Sequence, residues 1–329
     1  MADVRQLSPI PLLGTVVVGS INWDITLFIK RLPRDGEEMV VNRITHVPGG
    51  KAGNTAVAAA KLLGRDRVAI FGGLGNDSVA NDHVKIFEKE GVLTSGLKFS
   101  SEHGSGQAYL AVDESGENVI YTYAGANSLL TPSDLDEPKR QTLMSQASVV
   151  TIMNPPFETA TKLAIESKKL GKRIVYDPGV WSERGLDGLR PILSCADYLI
   201  SNESEIRNLT GLSDSKGAAE KLNEKYPSLK IIQKLGGRGS IMVDGSSVAI
   251  DALHLERLGM KVVNTVGCGD SFLGAFVAAL VEGLPDIDAL RWATCAAGLK
   301  ATKLETRGSP DRETMFRYLE HVKLMSSAS

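Results

Sequence analysis

Val262–Leu280, VVNTVGCGDSFLGAFVAAL, is the stretch whose reading decides the fold. The β-branched pair Val262-Val263 predicts a short strand, Gly267-Cys268-Gly269 a tight turn, and the apolar residues that follow a helix. A glycine turn between strand and helix lets backbone N–H groups converge in front of the helix, where the positive end of its dipole favours an anion. Asp270 is the anomaly, because a carboxylate there would repel a resting phosphate. It can complement the dipole, like any acid in a first helical turn. It can also take a proton from a hydroxyl that attacks a phosphoryl group held by the neighbouring N–H groups.

The rest of the chain narrows that choice. With 329 residues, 43% hydrophobic and 23% charged, it can bury a full core and reads as an ordinary soluble globular protein. A formal net charge of -2 gives no electrostatic case for nucleic acid or an anionic membrane. Cys195, Cys268 and Cys295 share no metal-like spacing and form no even framework, which fits a reducing compartment. The opening MADVRQLSPIPLLG has no signal-peptide pattern, and no run of about 18 apolar residues occurs anywhere. These features predict a cytoplasmic protein without a membrane span.

Working outward, TVVVGSI (residues 15–21) reads as a buried strand, with Asn22, Trp23 and Asp24 where it ends. Two extended runs around a turn at Pro33–Gly36 follow, and then PGGKAGN leads into an alanine-rich helix over Ala52–Leu63 that Gly64 ends. Val68–Gly72 is a strand and Asp77–Glu90 a helix; Gln107–Val112 and Asn118–Tyr123 form a hairpin around Asp113–Gly116. Pro132–Met144 reads as helix, VVTIM as strand, Glu158–Leu170 as helix, and RIVYD and DYLIS as strands. Helical text lies between Glu203 and Tyr226; short strands run from Leu229 to Ile250, and helices cover Ile287–Lys303 and Arg312–His321. Alternating strand and helix predicts an α/β protein with a mostly parallel sheet covered on both faces, and the two helix-free insertions a small β unit on top of it.

Four constellations carry candidate chemistry. Gly267, Cys268 and Gly269 with Asp270 come near a dinucleotide fingerprint, but Phe272 stands at its third glycine, and no Walker-type loop exists. Gly50, Lys51 and Asn54 at a helix start could hold hydroxyls, with Asn22 and Asp24 as further acceptors; the plain alternative is a turn with a solvated lysine. Lys234, Gly236 and Gly239 form a glycine turn between strands that could approach a nucleotide, or an ordinary hairpin turn. Asn202 and Glu205 have the spacing of a capping box, or of acceptors that order Mg²⁺ and its waters near phosphates.

Together and in this order, GGKAGN and NTVGCGDSF resemble the diagnostic stretches of the ribokinase-like (PfkB) family of carbohydrate and nucleoside kinases, ribokinases above all, from about Thr15 to His321. The resemblance implies a three-layer α/β/α sandwich with a mostly parallel central sheet and a small β-sheet lid. It implies a single kinase domain over residues 1–329, with lid insertions at about 25–48 and 105–127. It also implies phosphoryl transfer from ATP, with Mg²⁺, to a hydroxymethyl group of a small sugar. Asp270 then falls on the catalytic base, and Gly267, Cys268 and Gly269 on the anion hole. Asn22, Asp24, Gly50, Lys51 and Asn54 fall on the sugar site, and Asn202 and Glu205 on the element tied to Mg²⁺ and phosphate. Lys234, Gly236 and Gly239 fall on the nucleotide site, Thr265 follows the family's cation-and-phosphate loop, and Gly125–Asn127 matches text at the lid's return.

Three positions depart from the pattern. Asn264 replaces an Asp whose surroundings hold a monovalent cation in many members, which puts K⁺ activation in question. Cys268 replaces a small Ala. Asn154 stands where ribokinases place a glutamate on the sugar, and an amide that donates as well as accepts opens the alternative of a nucleoside acceptor. An NAD(P)-dependent oxidoreductase and a non-catalytic sugar-binding regulator are the other readings; the missing third glycine counts against the first and the intact Asp270 against the second. A homodimer through the lid is a further expectation of the resemblance.

Overall fold

The computed structural model describes residues 13–115 and 117–324; most of the N-terminal tail and Gly116, the last residue of the predicted hairpin turn, lie outside them. A nine-stranded sheet forms the centre among the described residues. In spatial order its strands are Ser246–Ile250, Ser240–Asp244, Lys230–Lys234, Tyr198–Asn202, Arg173–Asp177, Val149–Met153, Thr15–Gly19, Val68–Gly75 and Val92–Ser100. Pairing is parallel except at the Lys230–Lys234, Ser240–Asp244 and Ser246–Ile250 end, where a hairpin-like return makes it antiparallel. Both faces of the sheet are covered, so the strands are continuous apolar runs. Alternate residues go to opposite cores: Val17 and Ile70 pack on one side, Val16, Val18 and Phe71 on the other.

From Thr15–Gly19 the chain first builds outward to Val92–Ser100, then returns to Val149–Met153 on the opposite flank. The strand order therefore reverses between Thr15–Gly19 and Val149–Met153. A crevice opens at the carboxyl ends of strands at such a point, where ligands of open α/β sheets bind. Asn154, Asp177, Asn202 and Lys234 all stand at, or one residue past, carboxyl ends of the strands from this point onward.

A second sheet of four strands, in the order Arg43–Gly49, Asn22–Phe28, Gly106–Val112 and Asn118–Tyr123, overhangs that crevice. Asn22–Asp24 thus open a strand of the small sheet rather than close the first central strand. Ala108, Leu110, Ile120 and Thr122 face the crevice, while Tyr109, Val119, Tyr121 and Tyr123 alternate with them and lie exposed on the outer face.

Two expectations about local structure do not hold. Val262-Val263 form no strand; they are exposed, and the N–H groups of Val263 and Asn264 donate to the carbonyl of Ala301 at 2.7 and 3.1 Å. Two β-branched residues have no intrinsic strand preference strong enough to act without a sheet edge beside them. Pro132–Met144 divides into a 3₁₀ turn at Pro132–Asp136 and a helix at Pro138–Gln146, because Pro138 has no N–H and starts a helix more readily than it continues one.

Candidate active site

Two helices deliver the glycine motifs to one place. Lys51–Leu63 and Cys268–Val281 pack closely, and a Cβ on Gly274 would come within 2.5 Å of the Ala58 side chain. Small residues along both helices permit that approach, which accounts for the alanine-rich text. Their N-termini converge, and Asn54 Nδ2 donates to Asp270 Oδ2 at 2.8 Å. The turn before each helix needs glycine: Gly50 has φ 83 and Gly267 φ 82. A Cβ would lie 2.4 Å from the Asn22 nitrogen at Gly50 and 2.4 Å from the Thr306 carbonyl oxygen at Gly267. The Cys268–Val281 helix has no side-chain cap, so first-turn N–H groups such as those of Gly269 and Asp270 remain for a ligand.

Two cavities lie on either side of this turn. One, of about 710 Å³, is bounded by Asn22, Asp24, Lys51, Asn54, Asn154 and Asp270. The other, of about 610 Å³, is bounded by Lys234, Gly236, Gly239, Thr265, Cys268 and Gly269. Apolar walls, Leu253 and Phe272 among them, complete the second cavity. Asn202 and Glu205 line neither one.

Buried charge organises the floor. Asp177 accepts from Lys51 Nζ at 2.8 Å and from Lys234 Nζ at 3.0 Å, and Lys51 also donates to Glu205 Oε1 at 3.1 Å. Burial alone would lower the Lys51 pKa, but the Asp177 and Glu205 carboxylates outweigh it and hold the ammonium above the usual lysine range. Asp177 is held low because its two lysines overcome the burial that would raise it. Lys51 is therefore not a solvated lysine. Asn202 and Glu205 form a reciprocal cap, with Glu205 Oε2 accepting from the Asn202 N–H and Asn202 Oδ1 from the Glu205 N–H, both at 2.8 Å.

Asp270 is raised above the ordinary carboxylate range, by burial first; Asn54, Lys51 and Lys234 pull it back and Asp177 adds to the rise. The Asp24 carboxyl, which makes no hydrogen bond among the described residues, is pushed up to about 7 by burial, partly opposed by Arg307 and reinforced by Asp270. Asn22 Oδ1 accepts from Asn127 Nδ2 at 2.8 Å; the matched Gly125–Asn127 text thus fixes the orientation of Asn22. Asn154 has φ 54, and its buried Oδ1 has no hydrogen-bond partner among the described residues.

Several residues here are absent from the motifs. Arg307 is buried, donates through Nε to Asn54 Oδ1 at 3.1 Å and through Nη2 to the Gly49 carbonyl at 3.0 Å, and so orients the amide that holds Asp270. Its pKa is lowered to about 10 by burial. His83 stacks on Phe87 and is pushed down to about 3 by burial and by Arg307, so it is a neutral spacer beneath Asn22. Asp177 could have been suspected as an acid closing a buried strand. Nothing local marks Arg307 or His83.

Donor chemistry separates two ions. No group of three or more His, Cys, Asp or Glu side chains among the described residues could hold a metal ion alone. Both Glu205 oxygens are already engaged, so the residues suit a hydrated Mg²⁺ carried on a nucleotide rather than a protein cage. A monovalent cation near residue 264 does not fit: the Asn264 carbonyl accepts from Lys300 Nζ at 2.9 Å, and the Asn264 amide donates to the Leu304 carbonyl at 2.7 Å.

Residues 14–313 match the family described as pfkB family carbohydrate kinase. The chain belongs to that family. This pfkB kinase is 30% identical over 94% of its length to a bifunctional ribokinase/ribose-5-phosphate isomerase A of Fructilactobacillus sanfranciscensis, of which it spans only 56%. It superposes on a ribokinase of Thermotoga maritima with TM-score 0.81 at 30% identity, covering 94% of this chain and 99% of that one. An Arabidopsis thaliana ribokinase complexed with ribose and ATP gives TM-score 0.80 at 27% identity, with the same coverage. The pfkB kinase thus has the ribokinase fold and is a phosphotransferase. The matched residues include the near-fingerprint at 267–272, and the family they match is one of carbohydrate kinases rather than dinucleotide oxidoreductases. Among the described residues no helix is long and apolar enough to cross a membrane.

Proposed function

We propose that this kinase moves the γ-phosphoryl group of ATP to a hydroxymethyl group of a small sugar, with Asp270 as general base. The observation that carries this reading is the pair of cavities flanking one glycine turn, with Asp270 on the acceptor side and Gly269 on the other. Two substrates can meet there across a set of N–H groups.

The acceptor would sit below the small sheet, its hydroxyls meeting Asp24, Asn22, Asn54 and Asn154, one hydroxyl facing Asp270. Asp270 takes that proton as the oxygen attacks; burial raises its basicity for the task. N–H groups of residues 267–270 then stabilise the charge spreading over the phosphoryl oxygens. Lys51 supports the site through Asp177 and Glu205 rather than through a free ammonium. Lys234, Gly236, Gly239 and Thr265 would hold the nucleotide. A bound Mg²⁺ would supply charge neutralisation on the phosphates; Glu205 and Asn202, which line neither cavity, would reach its waters only from behind Lys51. The small sheet acts as a lid that excludes water, within a single catalytic domain. Its exposed outer face, with Ile44, Tyr109 and Tyr121, pairs with a second lid in a homodimer, which sedimentation equilibrium would test.

A second reading, a nucleoside acceptor, is favoured by an aromatic wall of that cavity: Phe157 and Trp181 lie 5.8 Å apart, and Trp181 is fixed by a 3.0 Å hydrogen bond to the Pro155 carbonyl. Acceptor-dependent ADP release with ribose, fructose, inositol, adenosine and cytidine separates the two. Sugar-dependent release with silent nucleosides supports the first reading. Release with nucleosides alone overturns it in favour of the second, and no acceptor-dependent release overturns both.

A further inference from the structure

Lys300 is a buried cation that the mechanism above leaves unused. It lies in the last turn of the helix Asp286–Ala301 with no solvent exposure. Its Nζ donates to the Asn264 carbonyl at 2.9 Å and the Lys303 carbonyl at 3.4 Å, while Glu305 and Asp270 act on it through charge rather than hydrogen bonds. A buried ammonium whose hydrogen bonds go to carbonyl oxygens is costly, and its retention calls for a reason. The two carbonyls belong to two segments that meet beneath the glycine turn. Val263 and Asn264 donate to the Ala301 carbonyl, and the Asn264 side chain spans from the Val266 N–H to the Leu304 carbonyl. On one side this pins Thr265, whose carbonyl accepts from the Cys268 N–H at 3.1 Å. On the other it pins the segment carrying Thr306, which Gly267 touches, and Arg307, which orients Asn54. A single ammonium thus ties the anion turn and the support of Asp270 together.

Carbonyl oxygens that converge on a cation are the chemistry by which proteins replace the hydration shell of K⁺. We propose that Lys300 is a positioning residue whose ammonium serves as a tethered monovalent cation beneath the anion turn, so that turnover needs no added K⁺. The neutral Asn264 agrees with this: a carboxylate there would be free to share a diffusible cation, whereas its amide donates to Leu304 and accepts from Val266. The proposal rests on residues 267–270 being the phosphoryl cradle.

The test compares wild type with Lys300→Ala in KCl, NH₄Cl and choline chloride at equal ionic strength, following kcat, acceptor KM and thermal midpoint. Wild type is expected to give the same kcat and midpoint in all three salts. Lys300→Ala is expected to lose about 10- to 100-fold in kcat in choline, the usual cost of removing a group that orients a site, with KM little changed. KCl or NH₄Cl should restore part of that loss and raise the variant's midpoint. Stimulation of wild type by K⁺ overturns the proposal, as does a variant with undiminished kcat or one that neither cation rescues. Should Lys300→Ala fail to fold, the wild-type salt series decides. Should no acceptor support turnover, the kinase reading fails, and the midpoint comparison of the two proteins still tests the tethered cation.

Discussion

Asp24→Asn separates function from stability at one atom. The Asp24 carboxyl sits at the cavity wall without a hydrogen bond among the described residues, and its pKa climbs from 3.8 to about 7. At about 1.4 kcal/mol per unit, a rise of that size corresponds to about 4 kcal/mol. Water in the open cavity screens part of it, leaving about 2 kcal/mol as the expected effect. The sign follows from proton binding: the native state holds the Asp24 proton more tightly than the unfolded chain, so the contribution of Asp24 to stability is fully present below pH 3.8 and is lost as pH rises through about 7. The amide introduced by Asp24→Asn cannot ionise and escapes that loss. Urea unfolding from pH 4 to 8 should show the two proteins nearly equal at the acid end and the variant more stable by about 2 kcal/mol at pH 8. Acceptor affinity should fall in the same variant, because one carboxylate oxygen is replaced by an NH₂ that donates and the charge is lost. Parallel stability curves across this range would refute the desolvation argument and the unpaired state of Asp24 with it.

Other expectations follow from single contacts. Arg307→Met leaves Asn54 Oδ1 and the Gly49 carbonyl without their donor, and a loss of about 2–4 kcal/mol in urea unfolding is expected. Asn154→Gly keeps the left-handed backbone and removes an amide side chain from the cavity wall; acceptor KM should rise several-fold, up to about tenfold, with kcat little changed. Gly267→Ala forces a Cβ against the Thr306 carbonyl at φ 82, a strain of about 1–3 kcal/mol that should lower both thermal midpoint and kcat.

Buried strands were the easiest part of the chain to read. VVTIM and RIVYD emerge with the limits their sequences suggest, because strands covered on both faces are mostly apolar runs. The glycine motifs were equally open, since a positive φ and a close backbone approach leave glycine as the residue that fits. Asp270 and Asn54 meet where those motifs required. Arg307, His83 and Lys300 were hidden for a different reason: each acts through a contact across a large sequence separation, Arg307 to Asn54 being 253 residues. A lone charged residue in helical or loop text carries no spacing that announces burial. Lys51 stands out in its motif, whereas its partner Asp177, 126 residues away, does not.

The central claim is that Asp270 removes the acceptor's proton across the turn that holds the phosphoryl group. Single-turnover transfer and acceptor affinity, measured side by side in wild type and Asp270→Asn, test it most directly. The account predicts a fall of about 10²–10⁴ in the transfer rate, the usual worth of a positioned base, with acceptor affinity retained. A variant that transfers phosphoryl at close to the wild-type rate would contradict it.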